Sequence, residues 1–180
     1  MKLLKLYIEN FGKISKTEYD FNSDLTAFCY ENGYGKTTLA TFIKVMFYGL
    51  PKVTKNTKFN DREHYYPFDG GKFGGNITFE KDGKIYKIVR FFDKTSETKD
   101  EITLYENDNL VNAIPENIGK WVFGVDEASY SRTLYFSEAS SINETSSDIT
   151  FKLTGVVDSS DDESFIGAKK MLEEAKKNLK

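Results

Sequence analysis

The chain has 180 residues, a formal net charge of −3, 39% apolar and 29% charged residues. These values suit one globular domain with a real core, and they argue against a uniformly basic, DNA-coating protein. The single cysteine, Cys29, excludes an internal disulfide and a Cys-rich zinc site, and no apolar run approaches the ~18 residues of a membrane span. With no secretory leader in the sequence, the expected setting is the cytoplasm, away from membranes.

In chain order, Lys2–Glu9 is β-prone and stops at Asn10-Phe11-Gly12, and Ile14–Phe21 alternates loosely up to Asn22-Ser23-Asp24. Leu25–Tyr30 is short and uncharged, as expected of a strand buried on both faces, with Cys29 an inert small hydrophobe inside it. It runs into Glu31-Asn32-Gly33-Tyr34-Gly35-Lys36-Thr37-Thr38, after which Leu39, Phe42, Ile43, Met46 and Phe47 recur at helical spacing until Gly49 and Pro51. Pro51–Phe73 is polar and aperiodic and reads as a long surface loop. Asp82-Gly83 between two β-prone runs, Asn76–Glu80 and Ile85–Phe92, predicts a hairpin. Ile102–Glu106 predicts another strand, and the pattern turns helical from Pro115, with Ile118, Trp121 and Val122 apolar. Beyond Ser140 the composition shifts to Ser, Thr, Asp and Glu, and Ser164–Lys180 predicts a helix with Ile166, Met171, Leu172, Ala175 and Leu179 at rough heptad spacing. The division expected is a lobe over residues 1–157 and a helix over 158–180.

A strand, a Gly-rich turn and Lys-Thr opening a helix form a phosphate cradle. Glycines allow backbone N–H groups to close on a phosphate, and the helix N-terminus adds a favourable dipole. Asn32, Gly33, Tyr34 and Gly35 form that turn; Lys36 reaches the β- and γ-phosphates, Thr37 holds Mg²⁺ through its hydroxyl, and Thr38 reaches the α-phosphate. The cofactors expected from the loop are therefore a nucleotide and Mg²⁺. The general pattern places a glycine where Tyr30 stands. If that position needs a positive φ the cost is roughly 1–2 kcal/mol; if a strand runs on through it there is none.

The run Leu4–Phe11, then Phe21, then Asn32-Gly33-x-Gly35-Lys36-Thr37-Thr38 resembles the N-terminus of SMC-family and SbcC-like ATPases. Phe47-Tyr48-Gly49 and the hairpin residues Phe79, Gly83, Tyr86 and Arg90 are similar to that family's pattern as well, so the likeness covers about residues 1–140. The resemblance implies ATP as the nucleotide and an α/β P-loop NTPase fold: the N-terminal lobe of an ABC-type head, with a mixed sheet, an antiparallel hairpin wing and a C-terminal helix leading toward a coiled coil. An ordinary surface helix is the other reading of Ser164–Lys180. The resemblance also implies that Glu138 stands where the family carries a glutamine that senses the γ-phosphate and metal, in the stretch Arg132–Glu138. There it acts catalytically and as a metal ligand, or is a solvated residue after a strand. Lys13 approaches the nucleotide by the same analogy, or is a surface lysine.

The family completes its site with a C-terminal lobe carrying a signature loop and a strand ending Asp-Glu. The partners implied are that lobe, a second head in a homodimer, DNA, and room for a nuclease. Trp121–Glu127 mimics the Asp-Glu strand but reads as helix–turn–helix, and Asp69-Gly70-Gly71 mimics the signature loop in the wrong lobe. Lacking its sheet partner, Leu25–Tyr30 is expected to expose an apolar edge, which leaves rearrangement, dimerisation or completion by the other lobe. His64 lacks triad-like partners. Tyr65, Tyr66, Phe68 and Phe73, interleaved with basic residues, suit either nucleic-acid stacking or pinning of the loop to the sheet.

The function implied is ATP hydrolysis between two heads, driving conformational change on DNA in repair, chromosome maintenance or defence. The alternative is a non-catalytic, nucleotide-dependent interaction module with a weakened site. A small nucleotide kinase lacks the arginines of a lid, since only Arg62, Arg90 and Arg132 exist.

Overall fold

The computed structural model describes residues 1–22, 25–51 and 60–135. Met1–Glu127 form one compact unit; of the second, Ala128–Lys180, the described part is residues 128–135. The first unit is built on six antiparallel strands in the order β2-β1-β3-β4-β5-β6. They are β1 (Lys2–Phe11), β2 (Ile14–Asp20), β3 (Gly74–Lys81), β4 (Lys84–Phe91), β5 (Glu101–Glu106) and β6 (Asn109–Leu110). Between them lie α1 (Lys36–Tyr48) and the one-turn α2 (Asp61–His64), and α3 (Ile118–Phe123) follows the sheet.

Local chemistry explains these elements. The turn between β3 and β4 places Asp82 and Gly83 at φ 53° and 75°, the left-handed pair that a two-residue hairpin needs. Across the core face one row runs Leu6, Ile77, Ile88, Leu104, each opposite the next in register. Against that face α1 lays Leu39, Phe42, Val45, Met46 and Phe47, all buried, and each such side chain contributes about 1.5–3 kcal/mol. Gly49, at φ 88°, ends the helix by donating its N–H to the Val45 carbonyl. Tyr48 then crosses α3 where Gly119 has no side chain, and its hydroxyl donates to the Val125 carbonyl at 2.9 Å.

Four expectations need correction. The described sheet is wholly antiparallel, not mixed. Leu25–Tyr30 forms no strand: Leu25 is 85% exposed and Cys29 is exposed, so Cys29 is not an interior hydrophobe. A strand needs a neighbour to pair with its backbone, and among the described residues no strand is paired to this segment. The stretch Pro51–Phe73 is not simply a surface loop, because it contains α2 and buries Arg62 and Phe73. Last, Arg132 and Thr133 belong to a helix, α4 (Glu127–Thr133), rather than to a strand.

Trp121–Glu127 is helix, turn and helix as expected, with Gly124 at φ 72° closing α3. Glu138, the helix predicted at Ser164–Lys180 and the boundary at residue 157 lie outside the described residues.

Candidate functional site

The predicted phosphate loop stands at the N-terminus of α1. Gly35 is the N-cap at φ 111°, and Gly33 lies at φ 85°, both in the region that favours glycine. No side chain hydrogen-bonds the cap, and the first turn of α1 carries no acidic residue. Its first N–H groups are therefore left with the helix dipole to face an anion. Leu39 donates back to the Gly35 carbonyl at 2.8 Å, which fixes the first full turn.

Lys36 closes the loop from inside. Its Nζ donates to the Tyr30 carbonyl at 2.6 Å and to the Glu31 carbonyl at 3.1 Å. An ammonium has three donors, so one remains for a phosphate oxygen, and neither partner used is a carboxylate that would neutralise it. Asn32, Gly33 and Tyr34 are exposed, as is Thr37, whose hydroxyl has no hydrogen-bond partner among the described residues. These residues fit a magnesium-bound triphosphate: glycines and a bare helix end for the phosphates, a lysine cation, and a free hydroxyl for the metal.

The turn between β1 and β2 supports this loop. Gly12, at φ 57°, donates its N–H to the Tyr65 carbonyl at 2.7 Å, and a methyl placed on it would sit 3.2 Å from Thr38 Cγ2. The turn thus rests on the first turn of α1. It carries Lys13 to the loop, its Cε 3.6 Å from where a Gly35 Cβ would stand, with Ile14 at the same distance. Asn32, Gly33, Tyr34, Gly35, Lys36, Thr37, Thr38 and Lys13 are thereby gathered at one end of α1. Tyr30 is not among the residues with positive φ, so the strain weighed for that position does not arise.

Sequence reasoning missed how the site is braced. Phe11 is fully buried, edge-on to Phe42 of α1 at 5.1 Å and stacked with Tyr65 at 4.6 Å and Phe73 at 5.5 Å. Tyr65 and Phe73 therefore pin the loop to the sheet, whereas Phe68 is fully exposed. His64 ends α2 and meets Tyr65 edge-on at 4.7 Å.

At the far end of α1, Arg90 donates through Nη1 to the Val45 and Met46 carbonyls, both at 3.1 Å. A cation there complements the negative helix end. Burial pushes its guanidinium down to about 10, so it stays protonated at neutral pH. Arg62, 1% exposed, grips both Asp100 carboxylate oxygens at 2.8 Å and also donates to the Leu50 and Asp93 carbonyls. The polar and charged letters around Arg62 gave no signal for that pair, because its partner lies 38 residues away.

Asp69-Gly70-Gly71 lies in a turn in which Gly70 donates to the Pro67 carbonyl, away from any helix start. Among the described residues no helix is long and apolar enough to cross a membrane.

Two comparisons bear on this arrangement. A protein of Bacillus subtilis (strain 168), described as uncharacterized protein YhaN, is 29% identical over 106 residues, which make up 58% of this chain and 10% of that protein. The match therefore covers about a tenth of that relative's length. The family described as AAA domain matches residues 5–180, nearly the whole chain. With a glycine-bounded loop, a lysine and an uncapped helix end at its centre, the chain belongs to the AAA domain family, the P-loop NTPases of SMC/SbcC-like type.

Proposed function

We propose that this chain is the Mg-ATP-binding N-terminal lobe of an SMC/SbcC-like ATPase, which hydrolyses ATP at an interface between two heads and drives conformational change on DNA. The observation that carries this reading is the phosphate loop. Lys36 is tied to the Tyr30 and Glu31 carbonyls with a donor to spare, beside a helix end that no acidic side chain occupies. Lys36, the backbone of Asn32–Gly35 and Thr38 hold the phosphates. Thr37 would hold the metal, a role that the resemblance also implies for Glu138, and Lys13 would approach the nucleotide. Bound Mg²⁺ would supply charge neutralisation for the phosphates. ATP hydrolysis, with Lys36 and Glu138 in the catalytic roles, needs a water-activating group from the C-terminal lobe.

The exposure of Leu25–Tyr30 supports that requirement. Leu25, Ala27 and Cys29 lie exposed and outside any strand, which fits a lobe whose sheet is completed by another. Expected, accordingly, is that steady-state ATP turnover by this chain is near background and rises at least tenfold once its own C-terminal lobe is added. Turnover that stays at background in the completed head would leave nucleotide-dependent interaction as the function. The cytoplasm is the compartment this reading assigns.

For DNA, the support is two lysine–ring contacts and one exposed ring in the loop after α2. Phe68 is fully exposed, while Lys94 lies 4.6 Å above the Tyr66 ring and Lys72 lies 5.1 Å above Phe91. Neither lysine has a carboxylate partner among the described residues. Cations not taken by carboxylates suit phosphates, and an exposed ring suits a base. Reversing both charges, Lys72→Glu with Lys94→Glu, is expected to weaken DNA binding about tenfold or more at low salt and to flatten its salt dependence, read by fluorescence anisotropy. Unchanged affinity and an unchanged salt slope would remove this surface from the account.

A further inference from the structure

The ring of Tyr30, at the place where the general P-loop pattern has a glycine, stacks on the ring of Tyr34 with centroids 4.0 Å apart and planes 13° from parallel. We propose that this stacked pair is a clasp: two positioning residues that hold the phosphate loop in its anion-ready shape before any nucleotide arrives. The motif itself asks nothing of either side chain. The proposal rests on the reading of the loop as a phosphate site, and it assigns a role to rings for which that reading has no use.

Tyr30 enters the loop and Tyr34 leaves it, so their contact ties its two ends together. Between them the chain makes a turn in which Tyr34 donates to the Glu31 carbonyl at 3.3 Å. Lys36 Nζ donates to the Tyr30 carbonyl at 2.6 Å. Tyr30 is thus held both by its side chain and by its backbone.

Little else steadies this segment. Glu31, Asn32, Gly33 and Tyr34 are all exposed, and a methyl at Gly33 would meet nothing within 4 Å. Two glycines in five residues make such a loop costly to order. An aromatic stack that orders it beforehand removes part of that cost from the binding step, which is preorganisation. On the inner side Tyr30 and Tyr34 join Ile14, Tyr19, Phe28 and Leu39 around a narrow apolar hollow beside Gly35 and Lys36. Tyr19 meets Phe28 edge-on at 5.6 Å, so the clasp is continuous with packing that reaches β2.

The test compares the unaltered chain with Tyr34→Ala and Tyr34→Phe in two measurements. The first is amide hydrogen exchange over residues 31–35 without nucleotide. The second is calorimetric titration with Mg-ATP. The clasp predicts faster exchange in Tyr34→Ala but not in Tyr34→Phe, which keeps the ring. It also predicts Mg-ATP affinity lowered about 3- to 10-fold in Tyr34→Ala, with a less favourable binding entropy, and restored in Tyr34→Phe.

Unchanged exchange in Tyr34→Ala overturns the proposal, as does an equal loss in Tyr34→Phe, which would assign the effect to the hydroxyl. If no protein binds Mg-ATP yet exchange still separates the alanine variant from the other two, the clasp stands and the phosphate reading falls. The two failures are therefore distinguishable.

Discussion

Replacing Arg62 with alanine is expected to lower the unfolding free energy by about 3–5 kcal/mol. The guanidinium is 1% exposed and holds Asp100 through two parallel bonds of 2.8 Å, with carbonyls of Leu50 and Asp93 as further partners. Its removal strands a nearly buried carboxylate and two carbonyls, and the desolvation of those groups then goes uncompensated. Asp100 also accepts the Asp93 N–H at 2.8 Å, so the damage extends into the turn after β4. Replacing both partners, Arg62→Met with Asp100→Leu, removes the stranded charge and should recover part of the loss, though not the Asp93 contact. Chemical denaturation measures both. A loss under about 1 kcal/mol in Arg62→Ala would mean that the pair is hydrated in solution and does not anchor α2.

The second large effect is expected at Gly75. Here the reason is closeness, not φ. An added Cβ would lie 2.0 Å from the Tyr7 carbonyl oxygen and 3.1 Å from Ile8 Cα, both backbone atoms that cannot rotate away. On the other side of β3, a Cβ added to Gly74, whose φ is 145°, would lie as close to the Arg90 carbonyl oxygen, at 2.1 Å. These adjacent glycines let β3 enter between β1 and β4, at a place where the β1–β3 register shifts between Ile8 and Asn10. Gly75→Ala must push β1 away from β3, at a cost of about 3 kcal/mol or more. Because β1 leads directly into Phe11 and Gly12, the support of the phosphate loop should weaken with it. The shift in denaturation midpoint reads the cost, and a near-wild-type midpoint would show that the strands separate freely here.

Such contacts mark the boundary of what the sequence makes legible. The β3–β4 hairpin is readable because Asp82-Gly83 and the flanking alternation are local signals. The first two strands and α1 are readable for the same reason, with Gly49 as the stop. Leu25–Tyr30 was not, since a strand is a property of a pair, and composition cannot say whether a neighbour is present. Arg62 reads as a surface cation, as arginine usually is; only its distant partner makes it an interior residue. Within the site, motif spacing identifies the loop and its lysine. Tyr30 looks from sequence like a steric cost, yet it is unstrained and stacked on Tyr34. The support given by Gly12, Tyr65 and Phe11 depends on packing across more than fifty residues, which no window along the chain contains.

The central claim is that Lys36 and the bare N-terminus of α1 form a phosphate site. The most direct measurement is calorimetric titration of Mg-ATP into this chain and into Lys36→Ala. The loop geometry predicts binding by the unaltered chain and a loss of at least tenfold in affinity when the ammonium is removed, the least expected when a charge-assisted bond to phosphate is lost. Equal affinity in the two proteins would contradict the account, because nucleotide would then be bound somewhere other than this loop.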